Sequence, residues 1–560
     1  MIDAGRVLGA TLATEFAPAS NLKGKVAGAA WRYLLPSMER RRVVLVGRPS
    51  TATIAAVGAV ADDVVVLGPT TGHDRAAGSG GARTVPGAEV QQWLTARPAG
   101  SVDLVWIGPD GAGIAASVEA ALDRLLDVDG VVVRERLGPS LAGQGTPRGS
   151  GRVVATVDVR PDRGEIRSAV GRGDEASARL LEERGLAGPP IRLPGPRRLS
   201  TLAGRFVGGR PRSLEIAIPA AQATLAAPPT YLAEIAAEAG IDIADHHCAL
   251  SAVGEYNTQK VLFVLRPPEA AEPTMVVKLT RDPSVNRRLE TERDALRRLE
   301  EVGPLTGGRV PRVLFAGRHA GLAVVGESAV SGVPFGDRTR AGTDHGPASD
   351  ALAWFTGLAE ETARPAPAGA VADALRDLFG RYAALCHPTD AEAAGLEAAI
   401  DAVARSTSPI PLVFQHGDPG TWNLLVGTDD RVVFLDWENA DAAGMPLWDL
   451  LYLLRSLAVG AARRAGVRRR LTAVDRFLFD DSPLSGTIVD AVAVYTARLG
   501  ISSDLVEPLF HLCWMHQALK EATRTDPARV RNAHFNRLLR LGFERRTAPT
   551  LRRLFAPGDR

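Results

Sequence analysis

The stretch "VFQHGDPGTWNLLVGTDDRVVFLDWENA", Val413 to Ala440, decides how this chain of 560 residues is read. Two apolar arms, Asn423 to Val426 and Val432 to Asp436, flank Gly-Thr-Asp-Asp-Arg, a turn composition. The pattern predicts an antiparallel hairpin centred near Asp429 and Asp430, with Asn423 opposite Asp436. Directly opposed residues sit about 4.5–5.5 Å apart, so an amide oxygen and a carboxylate would converge at the open end. These are hard oxygen ligands, few in number, which suits a Mg²⁺ ion that completes its shell with water and phosphate. Asp418 lies upstream on a loop shaped by Gly417, Pro419 and Gly420. A carboxylate placed beside such a site can orient and deprotonate a hydroxyl. Each acid alone would read as a cap or a strand end; the three polar groups around one hairpin favour a site.

His416-Gly417-Asp418 with Asn423, followed by Phe434-Leu435-Asp436-Trp437-Glu438, resembles the signature of the aminoglycoside phosphotransferase and choline kinase superfamily. The resemblance covers about residues 230–560. It implies a two-lobed α+β protein-kinase-like fold, ATP and Mg²⁺ as cofactors, and a small-molecule hydroxyl acceptor. It implies Asp418 as the catalytic base, with Asn423 and Asp436 as Mg²⁺ ligands. The later element of the signature is echoed by Met445-Pro446-Leu447-Trp448-Asp449. There Asp449 either supports the catalytic loop or is a helix-start carboxylate.

The same resemblance makes Lys278, in "MVVKL", the lysine that holds the nucleotide phosphates. Its acidic match is expected at Glu292, with Glu290 as the alternative, on the helical stretch 286–302. The loop "AVGEYNTQK" (252–260) would cover the phosphates with its single glycine, Gly254. Glu327 to Val330 falls where an adenine-contacting hinge would lie, working through backbone groups. Trp422 and Trp437 are read as packing residues.

The first ~225 residues read as α/β. Apolar, β-branched runs at 41–47, 62–68, 102–108 and 129–135 alternate with Ala-rich helical segments, which predicts a parallel, doubly wound, Rossmann-like sheet. A hairpin is expected around Pro161 to Gly164, and a Pro/Gly/Arg-rich linker over 185–212. The region faintly resembles a class I S-adenosylmethionine methyltransferase. However, Gly47 is followed by Arg48-Pro49 with no Gly-x-Gly, and Gly68 by Pro69 rather than an acid. It is therefore read as degenerate, serving packing, substrate capture or partner binding. The domains expected are 1–225, 228–330 and 331–560.

Composition narrows the classes further. Hydrophobic residues make up 45% and charged residues 23%, ordinary for a globular protein. A net charge of +2 offers no global field for nucleic acid or membrane. Cys248, Cys386 and Cys513 are widely spaced, so neither a disulfide framework nor a zinc site is expected. No apolar run is long enough to span a membrane and no signal peptide is read, so a cytoplasmic protein is expected. The arginines of "RRAGVRRR" (463–470) read as a solvated face; if they act, they favour an anionic substrate or partner. The competing readings are a nucleotide-binding scaffold without turnover and a bifunctional methyltransferase–kinase.

Overall fold

The computed structural model describes residues 30–58, 60–68, 82–137, 152–162, 165–184, 186–187, 212–219, 227–252, 260–339 and 346–556. The linker expected over 185–212 lies almost wholly outside them. The described residues fall into two compact units. One is drawn from Asn21–Leu289 and Val313–Ala329; the other contains Glu290–Arg312 and Val330–Arg560.

The first unit is built on a 13-stranded sheet. Five of its strands are parallel: β1 (Arg42–Val46), β2 (Asp63–Gly68), β3 (Arg83–Pro86), β4 (Val102–Ile107) and β5 (Leu126–Leu137). Their spatial order is β3-β2-β1-β4-β5. Helices α1 (Thr51–Gly58), α2 (Val90–Ala96) and α3 (Ala112–Leu125) lie between them in sequence. Alternate side chains enter different cores. Val43 and Leu45 pack in one cluster, and Val44 and Val46 in another with Val118 and Leu122 of α3. A strand covered on both faces needs apolar residues at every position, which is why these runs show no alternation. The four runs picked from sequence are β1, β2, β4 and β5; β3 was missed because its four residues, Arg-Thr-Val-Pro, carry little apolar signal.

Beyond β5 the sheet becomes antiparallel. It continues through β8 (Arg212–Pro219), β6 (Arg152–Asp162), β7 (Glu165–Gly171), β9 (His247–Ser251), β10 (Lys260–Arg266), β11 (Met275–Thr280), β13 (Leu322–Ser328) and β12 (Val313–His319). β6 and β7 form the hairpin expected around Pro161. Strand β7 pairs with β9, Ser168 opposite Ser251. Strands on either side of residues 225–228 therefore share one sheet.

In the second unit, α4 (Asn286–Val302) contributes from Glu290 onward. Its Leu289, Leu296 and Leu299, spaced for one helix face, are fully buried. The unit is otherwise mostly helical: α5 (Gly346–Thr362), α6 (Ala368–Cys386), α7 (Asp390–Ala404), α8 (Trp448–Arg464), α9 (Ser485–Leu499), α10 (Val506–Ala522) and α11 (His534–Glu544). Two small sheets carry the motif region. One orders β14 (Val333–Pro334), β17 (Leu424–Val426) and β18 (Val432–Phe434); the other orders β15 (Arg364–Ala366), β16 (Ile410–Gln415) and β19 (Asp441–Gly444). No described helix is long and apolar enough to cross a membrane.

Candidate active site

The hairpin forms where expected but in a different register. Leu424 pairs with Phe434 and Val426 with Val432. Continuing that register sets Asn423 opposite Leu435, and the Leu435 amide donates to the Asn423 carbonyl at 2.9 Å. Asp436 is therefore not Asn423's partner in the ladder, as expected from sequence, but lies one residue past it. The loop explains the shift. Gly427 closes on Arg431 at 2.9 Å and Asp430 sits at φ +61°, so the turn takes five residues, Gly427 to Arg431, where setting Asn423 opposite Asp436 would need six. Asp436 itself adopts φ +63°, a left-handed conformation that Asp tolerates better than most residues. Its neighbours are pinned on both sides, Leu435 by Asn423 and Trp437 by Glu292, whose Oε1 accepts the Trp437 amide at 3.2 Å.

The Asp418 loop is held from several directions. Asp449, in the first turn of α8, accepts the His416 amide at 2.5 Å and the Gly417 amide at 3.0 Å. Asp449 thus supports the loop, one of the two roles open from sequence. Burial pushes its carboxyl up to about 7, against the two amides and Lys520. Gly417 sits at φ +78°, and a Cβ there would collide with the Asn439 carbonyl, so this turn admits only glycine. Lys520 of α10 donates to the Gly417 carbonyl at 3.3 Å. Thr421 is tied through its amide and hydroxyl to Ser456 of α8, both at 3.0 Å. A 3₁₀ turn, Thr421–Asn423, then delivers Asn423.

Asn423 is buried, and its Nδ2 donates to the Asp418 carbonyl at 2.9 Å. That bond fixes the amide's orientation and leaves Oδ1 as its oxygen free for another ligand among the described residues. Asp418 Oδ1 is buried and has no hydrogen-bond partner among the described residues. Burial pushes the carboxyl up to about 6, opposed by Lys520, Tyr452 and Trp422 and reinforced by Asp436. A carboxyl with that value is mostly ionised at neutral pH yet basic enough to take a proton.

His416 is fully buried against Trp437, ring centroids 4.4 Å apart. Its Nδ1 accepts the Asp418 amide at 3.3 Å, which makes Nε2 the N–H that donates to the Leu435 carbonyl at 2.9 Å. The neutral ring thus joins the Asp418 loop to the strand that leads into Asp436. Burial drives its pKa down to about 4. The unfolded chain takes up a proton near pH 6.5 and the folded one only near 4, so the neutral ring's contribution is present above 6.5 and is lost as pH falls between those values. Against His416→Gln, the wild-type stability advantage measured by denaturant unfolding is expected to shrink by about 3 kcal/mol between pH 7 and pH 4. An advantage independent of pH would overturn the neutral-ring assignment.

In the other unit, Lys278 and Glu327 meet. Lys278 pairs with Val325 and Val276 with Glu327 across β11 and β13, so Lys278 and Glu327 are diagonal neighbours on one face. Lys278 Nζ lies 2.8 Å from Glu327 Oε2, with both side chains largely buried. Glu327 was expected to act through its backbone; here its side chain is engaged. Gly254 and the loop around it lie outside the described residues. Trp437 is a core residue, as read, packed on Phe414, His416 and Trp354. Trp422 is not: it is 60% exposed and packs edge-on against Tyr452 at 6.2 Å. Sequence reasoning also missed Tyr452, Ser456 and Lys520. Of these only Lys520, a lone cation at the end of the apolar helix α10, left a visible signal.

Residues 255–483 match the model of the phosphotransferase enzyme family. The resemblance to the aminoglycoside phosphotransferase and choline kinase superfamily is thereby borne out. Among solved structures, aminoglycoside phosphotransferase APH(3'')-Id from Streptomyces rimosus is 19% identical, covering 53% of this chain and 98% of its own, with a TM-score of 0.31. A choline/ethanolamine kinase family protein from Mesorhizobium loti is 18% identical over 52% of this chain and 88% of its own, TM-score 0.30. The bifunctional kinase-methyltransferase WbdD is 15% identical over 90% of this chain and 88% of its own, TM-score 0.26. Scores this low do not fix a substrate or a second activity. No curated protein matches. The phosphotransferase segment contains Lys278, Glu292, Glu327, Asp418, Asn423, Asp436 and Asp449.

Proposed function

We propose that this protein is an ATP- and Mg²⁺-dependent kinase that phosphorylates a hydroxyl of a small-molecule acceptor. The observation that carries the reading is the buried Oδ1 of Asp418, unpartnered among the described residues, on a loop anchored by Asp449. A buried acceptor without a donor is costly, and an acceptor hydroxyl supplies that donor. Asp418 orients the hydroxyl and takes its proton as the new O–P bond forms and the bond from the γ-phosphorus to the bridging oxygen breaks, releasing ADP. Lys278 is assigned the nucleotide phosphates, held ready by Glu327.

The residues fit a Mg²⁺ ion. Asn423 Oδ1 is uncommitted, and Asp436 supplies a carboxylate on a backbone fixed at both neighbours. No group of three or more His, Cys, Asp or Glu among the described residues could hold a metal. A site with so few protein oxygens suits an ion that keeps water and phosphate oxygens in its shell. When bound, Mg²⁺ supplies charge neutralisation for the transferring phosphoryl group. ATP is expected to raise the thermal midpoint only when Mg²⁺ is present, and Asp436→Ala is expected to abolish that rise. Equal stabilisation of wild type and variant would exclude Asp436 as a ligand. A metabolite-library screen for ATP consumption then identifies the acceptor.

For the N-terminal region we propose a Rossmann-like half-sheet without a working cofactor site. The strand order β3-β2-β1-β4-β5 places a crevice at the carboxyl ends of β1 and β4, where such sheets bind ligands. There Asp110 accepts the Arg48 amide at 3.3 Å, and its Oδ1 would lie 2.8 Å from a Cβ on Gly47. A carboxylate seated where a cofactor would approach the backbone supports the degenerate reading.

A further inference from the structure

One side chain from Asp418, the second unit buries a cation that no acid pairs with among the described residues. Arg455 of α8 is 5% exposed. Among the described residues it forms no ion pair, and its Nε has no hydrogen-bond partner. Its guanidinium lies over two aromatic rings, 4.7 Å from the centroid of Tyr452 and 5.0 Å from that of Phe535. Its Nη1 is 3.4 Å from His534 Nε2. Aromatic faces offset part of the desolvation of a cation but do not supply the acceptor that the buried Nε lacks among the described residues. The acid whose contact reaches this corner, Glu521, is committed to the Phe535 amide at 2.7 Å.

The surroundings add positive charge. His534 is held down to about 4, first by burial and then by Arg455, Arg470 and Arg537, all of the same sign. Arg470 and Arg537 are exposed and unpaired among the described residues. So are Arg463 and Arg464 in the last turn of α8 and Arg468 and Arg469 just after it. The whole chain carries only +2, so this is a local concentration of cations and not a general basicity. A solvated face would explain the outer arginines; it does not explain the buried one.

Arg455 is one side chain from the chemistry. Tyr452, whose ring carries it, hydrogen-bonds toward Asp418 and packs against Trp422. We propose that the acceptor carries an anionic group, a phosphate, sulfate or carboxylate, and that Arg455, Arg470 and Arg537 hold it while Asp418 addresses a hydroxyl of the same molecule. The proposal rests on the reading of Asp418 as the base. It sets the acceptor apart from polycationic aminoglycosides, which these cations would repel.

The test is calorimetry on the full chain with glucose 6-phosphate, glucuronate, inorganic phosphate, glucose and a polycationic aminoglycoside. The anions are expected to bind and the neutral and cationic compounds not to. Which anions bind distinguishes phosphate from carboxylate recognition. Arg455→Met is expected to weaken anion binding about tenfold or more, the scale of one lost charge-assisted hydrogen-bond pair. Because that variant alters the interior, Arg470→Gln and Arg537→Gln, both at exposed positions, are measured alongside and are expected to weaken it less but in the same sense. No heat with any anion, equal binding of glucose, or anion binding unchanged in all three variants overturns the proposal. A parallel titration of ATP with Mg²⁺ keeps the two readings separate: failure there sinks the kinase reading, whatever the anions do.

Discussion

Asp418→Asn is expected to lower phosphoryl transfer about 10²–10⁴-fold, the range supplied by a positioned base. The substitution keeps the shape of the side chain, and the backbone anchors of its loop stay in place: Asp449 accepts the His416 and Gly417 amides, and Lys520 donates to the Gly417 carbonyl. ATP binding should therefore survive. Stability should hold or rise, since the substitution removes a charge that burial disfavours. A gain of ~1 kcal/mol would lift the thermal midpoint by about 2–4 °C for a unit of this size. The decisive measurement is kcat with the acceptor found by the library screen. An unchanged kcat would remove Asp418 from the chemistry; a lower kcat together with lost ATP binding would point to a collapsed loop instead.

The second large effect is expected at Asp449, a residue assigned no contact with substrate. Asp449→Ala leaves the buried amides of His416 and Gly417 without their acceptor, at about 1–3 kcal/mol for each unsatisfied group. Removing a carboxyl that burial already disfavours offsets part of that cost. The net outcome expected is a loss of about 2–4 kcal/mol by denaturant unfolding, and a kcat reduced toward that of Asp418→Asn because the base is no longer aimed. Asp449→Asn keeps one acceptor oxygen for the two amides and should fall between the two. A kcat equal to wild type in Asp449→Ala would show that the loop keeps its shape without this anchor.

The motif was legible because its chemistry is local. His416 to Asn423 and Val432 to Asp436 are short, and glycines, a proline and apolar arms state their turns and strands directly. The parallel strands of the first unit were legible for a related reason: burial on both faces leaves continuous β-branched runs. Strand β3, with one buried residue in four, could not be found that way. Glu327 was expected to act through its backbone, and the ion pair of its side chain was not foreseen. Its pairing with Lys278 depends on the register of β13 against β11, and those strands are separated by the whole of α4. Trp422 and Trp437, beside Asn423 and Asp436, looked alike in sequence, yet Trp437 is core and Trp422 is 60% exposed.

By itself, the sequence picked out the residues to which the proposed chemistry is assigned: Asp418, Asn423 and Asp436 around a hairpin, and Lys278 on a strand. Residue type and near spacing are enough when a few consecutive residues must make a turn. The tertiary structure decided how those residues are held. A five-residue loop moved Asp436 one position along the ladder, Asp449 became the anchor of the Asp418 loop, and α8 and α11 brought Arg455 and His534 together within reach of Tyr452. These depend on contacts between residues far apart in the chain, where many pairings satisfy the same hydrophobic pattern and only packing selects one.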